Sequence, residues 1–321
     1  MRPQTPSRQH PANAPRRQAG IALLALLTVL TLWGLYLFVG QLSATQFERA
    51  REQDDAAVLA EAKAALIGRA ATDANRPGSL PCPATDESGV SPLFAGDHCP
   101  TYIGRLPWKT LRVGDLRDRS GEPLWYALTR ELRDDDSAEP INPRQELELT
   151  MDGTTNIAAA IFSPGPPLAT QSGRPGSGVA DYLDGANSDG DYRYVSGPQS
   201  SSFNDKVLVI TRDDVFRPVI RRVLAEIRGP NDDPCGSSLY GLRRYDVAHD
   251  PFPWADSNDD GYGDNDRNDG KLAFSEVQID PRSLPWLSNN DWLQLVTYQR
   301  LSDSSARIAI DDSTLDVTPC P

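Results

Sequence analysis

The spacing of apolar residues changes several times along this chain, and the first change is the largest. From Ile21 to Gly40 there is no charged residue; as a helix rising ~1.5 Å per residue the run covers about 30 Å, the thickness of a bilayer's hydrocarbon. Beyond it Phe47, Val58, Leu59, Ala62, Ala65, Leu66 and Ala70 recur at helical spacing, with Glu48, Arg51, Glu52, Asp55, Glu61, Lys63 and Arg69 between them. That is the pattern of a helix with one face laid on something. No proline occurs between Gln18 and Asn75, so one continuous helix is expected, stopped by Asp73, Asn75 and the Pro77-Gly78 pair.

After residue 77 the period shortens toward two. Leu124–Thr129 reads as a strand, Glu146–Thr150 alternates as a half-exposed one, and Ile157–Phe162 is apolar throughout and should be central. Val207–Ile210 reads as a buried strand. Thr211, with Asp213 and Asp214 in the first turn, can cap a following helix whose apolar face is Val215, Val219, Val223 and Ile227. Pro218 should kink or delay that helix, and Arg217, Arg221, Arg222 and Arg228 read as its solvated sides. Leu293–Tyr298 and Ala306–Ile310 form a hairpin around Asp303-Ser-Ser. Residues 163–202 are a Gly/Pro/Ser/Asp stretch too long for an ordinary connection.

The expected fold is therefore α+β: a long N-terminal helix, half membrane and half amphipathic, packed on a loop-rich, largely antiparallel head. The boundaries are a basic segment at 1–20, a transmembrane helix at 21–40, its amphipathic extension at 41–76 and the head at 77–321. Arg2, Arg8, Arg16 and Arg17 precede the apolar run with no acidic residue. The positive-inside bias keeps that end in the cytoplasm, the lipid bilayer around residues 21–40 and the head outside it. A cleaved secretory signal competes, but Leu42-Ser43-Ala44 puts a bulky Leu where a small residue is wanted.

Removing the first 40 residues and their four arginines leaves 28 basic residues against all 45 acidic ones, a formal charge of −17. Such a head will not bind nucleic acid by charge. Cys82, Cys99, Cys235 and Cys320 all follow the apolar run, in a compartment that permits disulfides. Of the three connectivities, Cys82–Cys99 closing a Pro/Gly/Asp loop and Cys235–Cys320 pinning the C-terminus are favoured. A zinc site is the rival, without any CxxC pair to support it.

The strongest polar constellation runs from Asp256 to Gly270. Asp256, Asn258 and Asp260 with Gly261 fall at positions 1, 3, 5 and 6 of a calcium loop, and Asp264 falls at position 9. Position 12 is Arg267, so an authentic EF-hand is excluded and a looser Ca2+ loop borrowing Asp266 or Asp269 is the candidate. The similar run from Asp184 to Asp191 is explained by turn chemistry. Hydrolase motifs are missing, and only His98 and His249 are available outside the membrane, so no enzyme is expected.

Gln18-Ala19-Gly20-Ile21-Ala-Leu-Leu-Ala25 after a basic stretch resembles the leader of type IV pilin-like proteins. Pro77-Gly-Ser-Leu-Pro-Cys-Pro83, Gly104-Arg-Leu-Pro-Trp-Lys-Thr-Leu111 and Phe203-Asn-Asp-Lys-Val-Leu-Val-Ile-Thr-Arg-Asp213 are similar to a group of bacterial pilin-like proteins. The resemblance implies cleavage between Gly20 and Ile21 by a prepilin peptidase, and partner subunits in a type IV pilus or type II secretion filament. Major pilins carry an aromatic at the position of Ile21 and a glutamate at that of Ala25. The missing glutamate is similar to tip-type pseudopilins and some minor pilins, which prime or cap filaments. An anchored binding module or adhesin that uses the long acidic loops is the alternative.

Overall fold

The computed structural model describes residues 18–92, 98–134, 139–171, 173–230, 240–247 and 251–318, with the backbone alone at 18–22, 38–52 and 246–247. The chain divides into two units, Met1–Gln53 and Asp54–Pro321. Helix α1, Gln18–Thr72, crosses that division, so its last turns belong to the second unit. In the first unit the described side chains, Leu23 to Leu37 and Gln53, are all exposed. Among the described residues no helix is long and apolar enough to cross a membrane.

The second unit is α+β with two antiparallel sheets and few helices. Its strands are β1 (Ile103–Arg105), β2 (Trp125–Leu128), β3 (Thr150–Met151), β4 (Ile157–Ser163), β5 (Arg193–Tyr194), β6 (Lys206–Thr211), β7 (Asp269–Lys271), β8 (Thr297–Ser302), β9 (Ser305–Ile310) and β10 (Ser313–Val317). One sheet has the order β1-β2-β4-β6 and the other β10-β9-β8-β7, while β3 and β5 form a short parallel pair. Helix α2, Arg212–Arg228, packs against both larger sheets.

Strand alternation builds two cores on the first sheet. Tyr126, Leu128, Ala159, Ile161 and Ile210 face Leu59, Ala62, Leu66 and Ala70 of α1 and the apolar stripe of α2. Trp125, Ala127, Ala160 and Phe162 point the other way, against Leu149, Met151, Tyr182, Leu183 and Tyr194. β4 is buried along its whole length because it is covered on both faces and paired on both sides.

α1 stops where the sequence places its end. Asp73 Oδ1 accepts from the amides of Asn75 and Arg76 at 2.9 and 2.7 Å, and Gly78 turns back at φ +105° to donate to the Ala70 carbonyl at 2.9 Å. α2 starts on a reciprocal cap: the Asp214 amide donates to Thr211 Oγ1 at 3.2 Å and the Thr211 amide to Asp214 Oδ2 at 2.9 Å.

Four sequence expectations change. β6 is an edge strand, mostly half-buried, because among the described residues no strand pairs with its outer side. Residues 146–149 keep their alternating burial but have no ladder, and only Thr150 and Met151 pair. Pro218 does not delay α2, which already begins at Arg212 and runs on past it, since the loss of one N–H bond is small beside an apolar face buried from Val215 to Ile227. The C-terminal hairpin is β8–β9 and gains β10 and β7 at its flanks, while Leu293 belongs to the short helix Trp292–Leu295.

Candidate functional site

Three features of the chain are candidates for function: the docked end of α1, the acidic loop, and the long segment before β6. The first is held by apolar contact and by ions. Lys63 Nζ reaches Asp214 Oδ2 at 2.8 Å and the Val209 carbonyl at 3.0 Å, and Lys206 Nζ reaches Asp55 Oδ2 at 2.8 Å. Arg69 pairs with Asp73 and, at 2.8 Å, with Asp134. Burial pushes the Asp73 carboxyl up, but the amides of Arg76 and Asn75 and the Arg69 guanidinium outweigh it and hold it below the ordinary range. Arg222, expected on a solvated face, instead donates to the carbonyls of Ala71 and Asp73 at 3.0 and 2.6 Å and lies 4.6 Å over the Trp286 ring. It thereby satisfies carbonyls at the C-terminus of α1.

In the acidic loop the residues spaced as calcium ligands accept hydrogen bonds from the loop itself. Asp256, 1 % exposed, accepts from the amides of Asn258 (3.1 Å), Asp259 (2.6 Å) and Gly261 (2.7 Å). Asp264 takes the amide and hydroxyl of Ser257 at 2.8 and 2.6 Å. Asn258 Oδ1 accepts the Asp260 amide, and Asp260 Oδ1 the Tyr262 amide. Asp259 pairs with Lys271 at 2.5 Å, and Asp266 is an exposed left-handed turn residue with φ +65°. Among the described residues no three His, Cys, Asp or Glu side chains form a metal-binding group.

The segment from Gly165 to Asn204 is organised by buried charge that composition alone does not reveal. Arg174 donates to the carbonyls of Gly165, Asp181 and Tyr182 and to Gln171 Oε1, all within 2.8 Å, and stacks over Tyr182 at 4.8 Å. Arg105 lies 5.8 and 5.5 Å over the rings of Trp125 and Tyr182 and donates to the Gly176 carbonyl at 2.7 Å. Asp184 and Asp205 are joined directly, amide to carboxylate. Asp184 accepts from Gln171 Nε2 (2.6 Å) and the Asn204 amide (2.7 Å), while Asp205 Oδ2 accepts from the Asp184 amide and Asn187 Nδ2, both at 2.9 Å. Asp205 Oδ1 is buried without a partner. Burial raises the Asp205 carboxyl to about 7, with the Asp184 charge adding to the rise and Arg174 opposing it.

Cys82 and Cys99 form the disulfide read from the sequence; Cys235, Cys320 and His249 lie outside the described residues. At Gly20 and Ile21 only the backbone is described, within α1. His98 is exposed.

No family model, curated protein or solved structure matches the chain.

Proposed function

We propose that this chain is a membrane-anchored, pilin-like structural subunit, a minor pilin or tip-type pseudopilin that primes or caps a filament of the type IV pilus or type II secretion kind. One observation carries the reading. Side chains from Leu23 to Leu37 are uncharged and exposed, Leu24 by 66 % and Tyr36 by 76 %, whereas the face of α1 that carries Leu59, Ala62, Leu66 and Ala70 is buried in the head by contacts of its own. A helix apolar all round wants lipid or other apolar helices. The charge-free run from Ile21 to Gly40 supplies the length for a bilayer, and the arginines before it the orientation. Ala25, in the place of a glutamate, suits a subunit that ends a stack, since a carboxylate there costs energy unless a neighbour's amine meets it.

Membrane fractionation and mass spectrometry of the mature N-terminus, in cells with and without a prepilin peptidase, test the proposal. The expected result is a membrane-bound chain that begins at Ile21 only when the peptidase is present. An intact Met1 in both strains, a cut near Ala44, or a freely soluble full-length chain overturns it. A second reading, an anchored adhesin, draws on the exposed acidic residues at 257–260 and 265–269. Deleting that loop would then abolish surface binding while filaments persist.

A further inference from the structure

We infer that residues 173–204 form a proton-sensitive strap across one face of the first sheet, latched by the Asp184–Asp205 pair and loosened when Asp205 loses its proton. The strap has little ladder of its own. Apart from the two residues of β5 and two short 3-10 turns it is irregular, yet it places Tyr182, Leu183 and Tyr194 over Trp125 and Phe162. Beyond that apolar contact, the β3–β5 pairing, the Ser196 bonds to Asp152 and the Arg105 bond to the Gly176 carbonyl, its buried polar attachment gathers at two carboxylates. Asp184 joins the strap to Gln171 and, within the strap, accepts the amide of Asn204 at its far end. Asp205 receives the Asp184 amide and Asn187 Nδ2, and Asn187 in turn is bonded both ways to Val195, at 3.1 and 2.8 Å.

The groups around Asp205 decide which protonation state this arrangement fits. Asp184 and Asp205 are 4 % and 3 % exposed, so two adjacent charges would both have to lie in a dry site. The cation nearest in effect is Arg174, but its N–H groups are directed at Gly165, Asp181, Gln171 and Tyr182, and Glu122 lies 3.4 Å from it. Lys206, next in the chain, is held by Asp55. Asp205 Oδ1 receives no hydrogen bond from the protein. A neutral Asp205, its proton on Oδ1, keeps the two bonds on Oδ2 and leaves one unpartnered O–H, which costs less than a second buried charge with no donor on Oδ1. Opening the strap returns the carboxyl to water and to its ordinary acidity, so opening releases a proton.

Hydrogen exchange of the full chain in detergent micelles, from pH 4 to 8.5, tests this. Protection in peptides within 173–204, corrected for the intrinsic pH dependence of exchange, should fall by up to about tenfold per pH unit between about 4 and 7 and level off above. Peptides from α2 should not follow. Asp205→Asn, a neutral isostere, should hold the strap at its low-pH protection throughout. Asp184→Asn, which removes the neighbouring like charge, should move the midpoint to lower pH. A wild-type strap with pH-independent protection, the same pH dependence in Asp205→Asn, or an unmoved midpoint in Asp184→Asn would each overturn the proposal. If Asp205→Asn does not fold, the Asp184→Asn midpoint still decides.

Discussion

Lys63 Nζ stands 2.8 Å from Asp214 Oδ2 and also donates to the Val209 carbonyl, so one side chain of α1 ties together an edge strand and the N-cap of α2. Asp214 is also the third residue of α2 and caps Thr211. Desolvation works against its charge, but Lys63 and the Thr211 bonds more than offset that and hold the carboxyl below its usual range. Lys63→Met keeps the stem and removes the ammonium. We expect a loss of about 1 kcal/mol, since the pair is partly buried and its removal leaves an edge carbonyl unmet. Thr211→Ala should cost a similar amount, about 1 kcal/mol. Because the two share Asp214, the double variant should lose less than the sum. Urea unfolding of the three variants measures this.

The pH dependence of stability divides by sign. Asp73 and Asp214 are depressed in the folded chain, so what they contribute is present above about 4, the unfolded carboxylate range, and is lost as pH falls through their lower folded values. Asp205 is raised, so its contribution is complete below about 4 and disappears as pH rises toward about 7. Wild type minus Asp205→Asn, measured as a melting temperature across pH 4 to 8, should therefore become less favourable to wild type as pH rises. Wild type minus Asp73→Asn should become more favourable over pH 2 to 5. Two differences of the same sign would remove the assignment.

Gly78 is the residue on which the end of α1 turns. Its φ of +105° disfavours any L side chain, and a Cβ there would come within 2.7 Å of a Phe216 ring carbon and 2.9 Å of Ile141 Cγ2. Strain and overlap act together, so Gly78→Ala should cost on the order of 2 kcal/mol or more. A melt within a few tenths of a degree of wild type would show that the turn relaxes freely.

How much of this could be read beforehand differs by element. The buried positions of α1, Leu59, Ala62, Leu66 and Ala70, follow from spacing alone, as does the central place of β4, because period and continuity are local properties. The cap at Thr211 was legible for the same reason. β6 was misjudged as buried since an apolar run reads alike in the middle of a sheet and at its edge, and Arg222 was misjudged since a helix face does not announce which carbonyls lie beyond it. The strap is the clearest gap. Arg105, Arg174 and Asp205 sit apart in sequence in ordinary polar surroundings, and only the fold brings the two arginines onto the Tyr182 ring and Asp205 to Asp184. The strong signal, Asp256 with Asn258 and Asp260, was legible as a turn, but spacing cannot say whether its oxygens face a cation or their own amides.

That last question has a direct answer in the melting curve. Asp256 accepts three amides on its two oxygens and Asp264 accepts the amide and hydroxyl of Ser257 on one, so the loop's turns are held by its own donors. Melting with calcium and with a chelator should agree to within a degree, and a calcium-dependent rise of several degrees would show that the loop rearranges around the ion. Asp256→Ala, which leaves three amides without their acceptor, should lower stability by about 2 kcal/mol whether or not calcium is added.

The Cys82–Cys99 bond closes a short loop, 17 residues in separation, that carries the turn-rich edge beside β1. The Ala84 amide and carbonyl pair with Arg105 at 2.9 Å, so the disulfide sits next to the strand that supplies Arg105 to the strap. Loop-closure entropy for this length is worth about 3 kcal/mol. The double variant Cys82→Ser, Cys99→Ser should therefore melt well below wild type. It should also show faster exchange at β1 and at Gly176, where Arg105 donates, while the β8–β9 hairpin in the other sheet keeps its protection. Equal loosening of both sheets would mean that the disulfide stabilises the head as a whole and not this edge in particular.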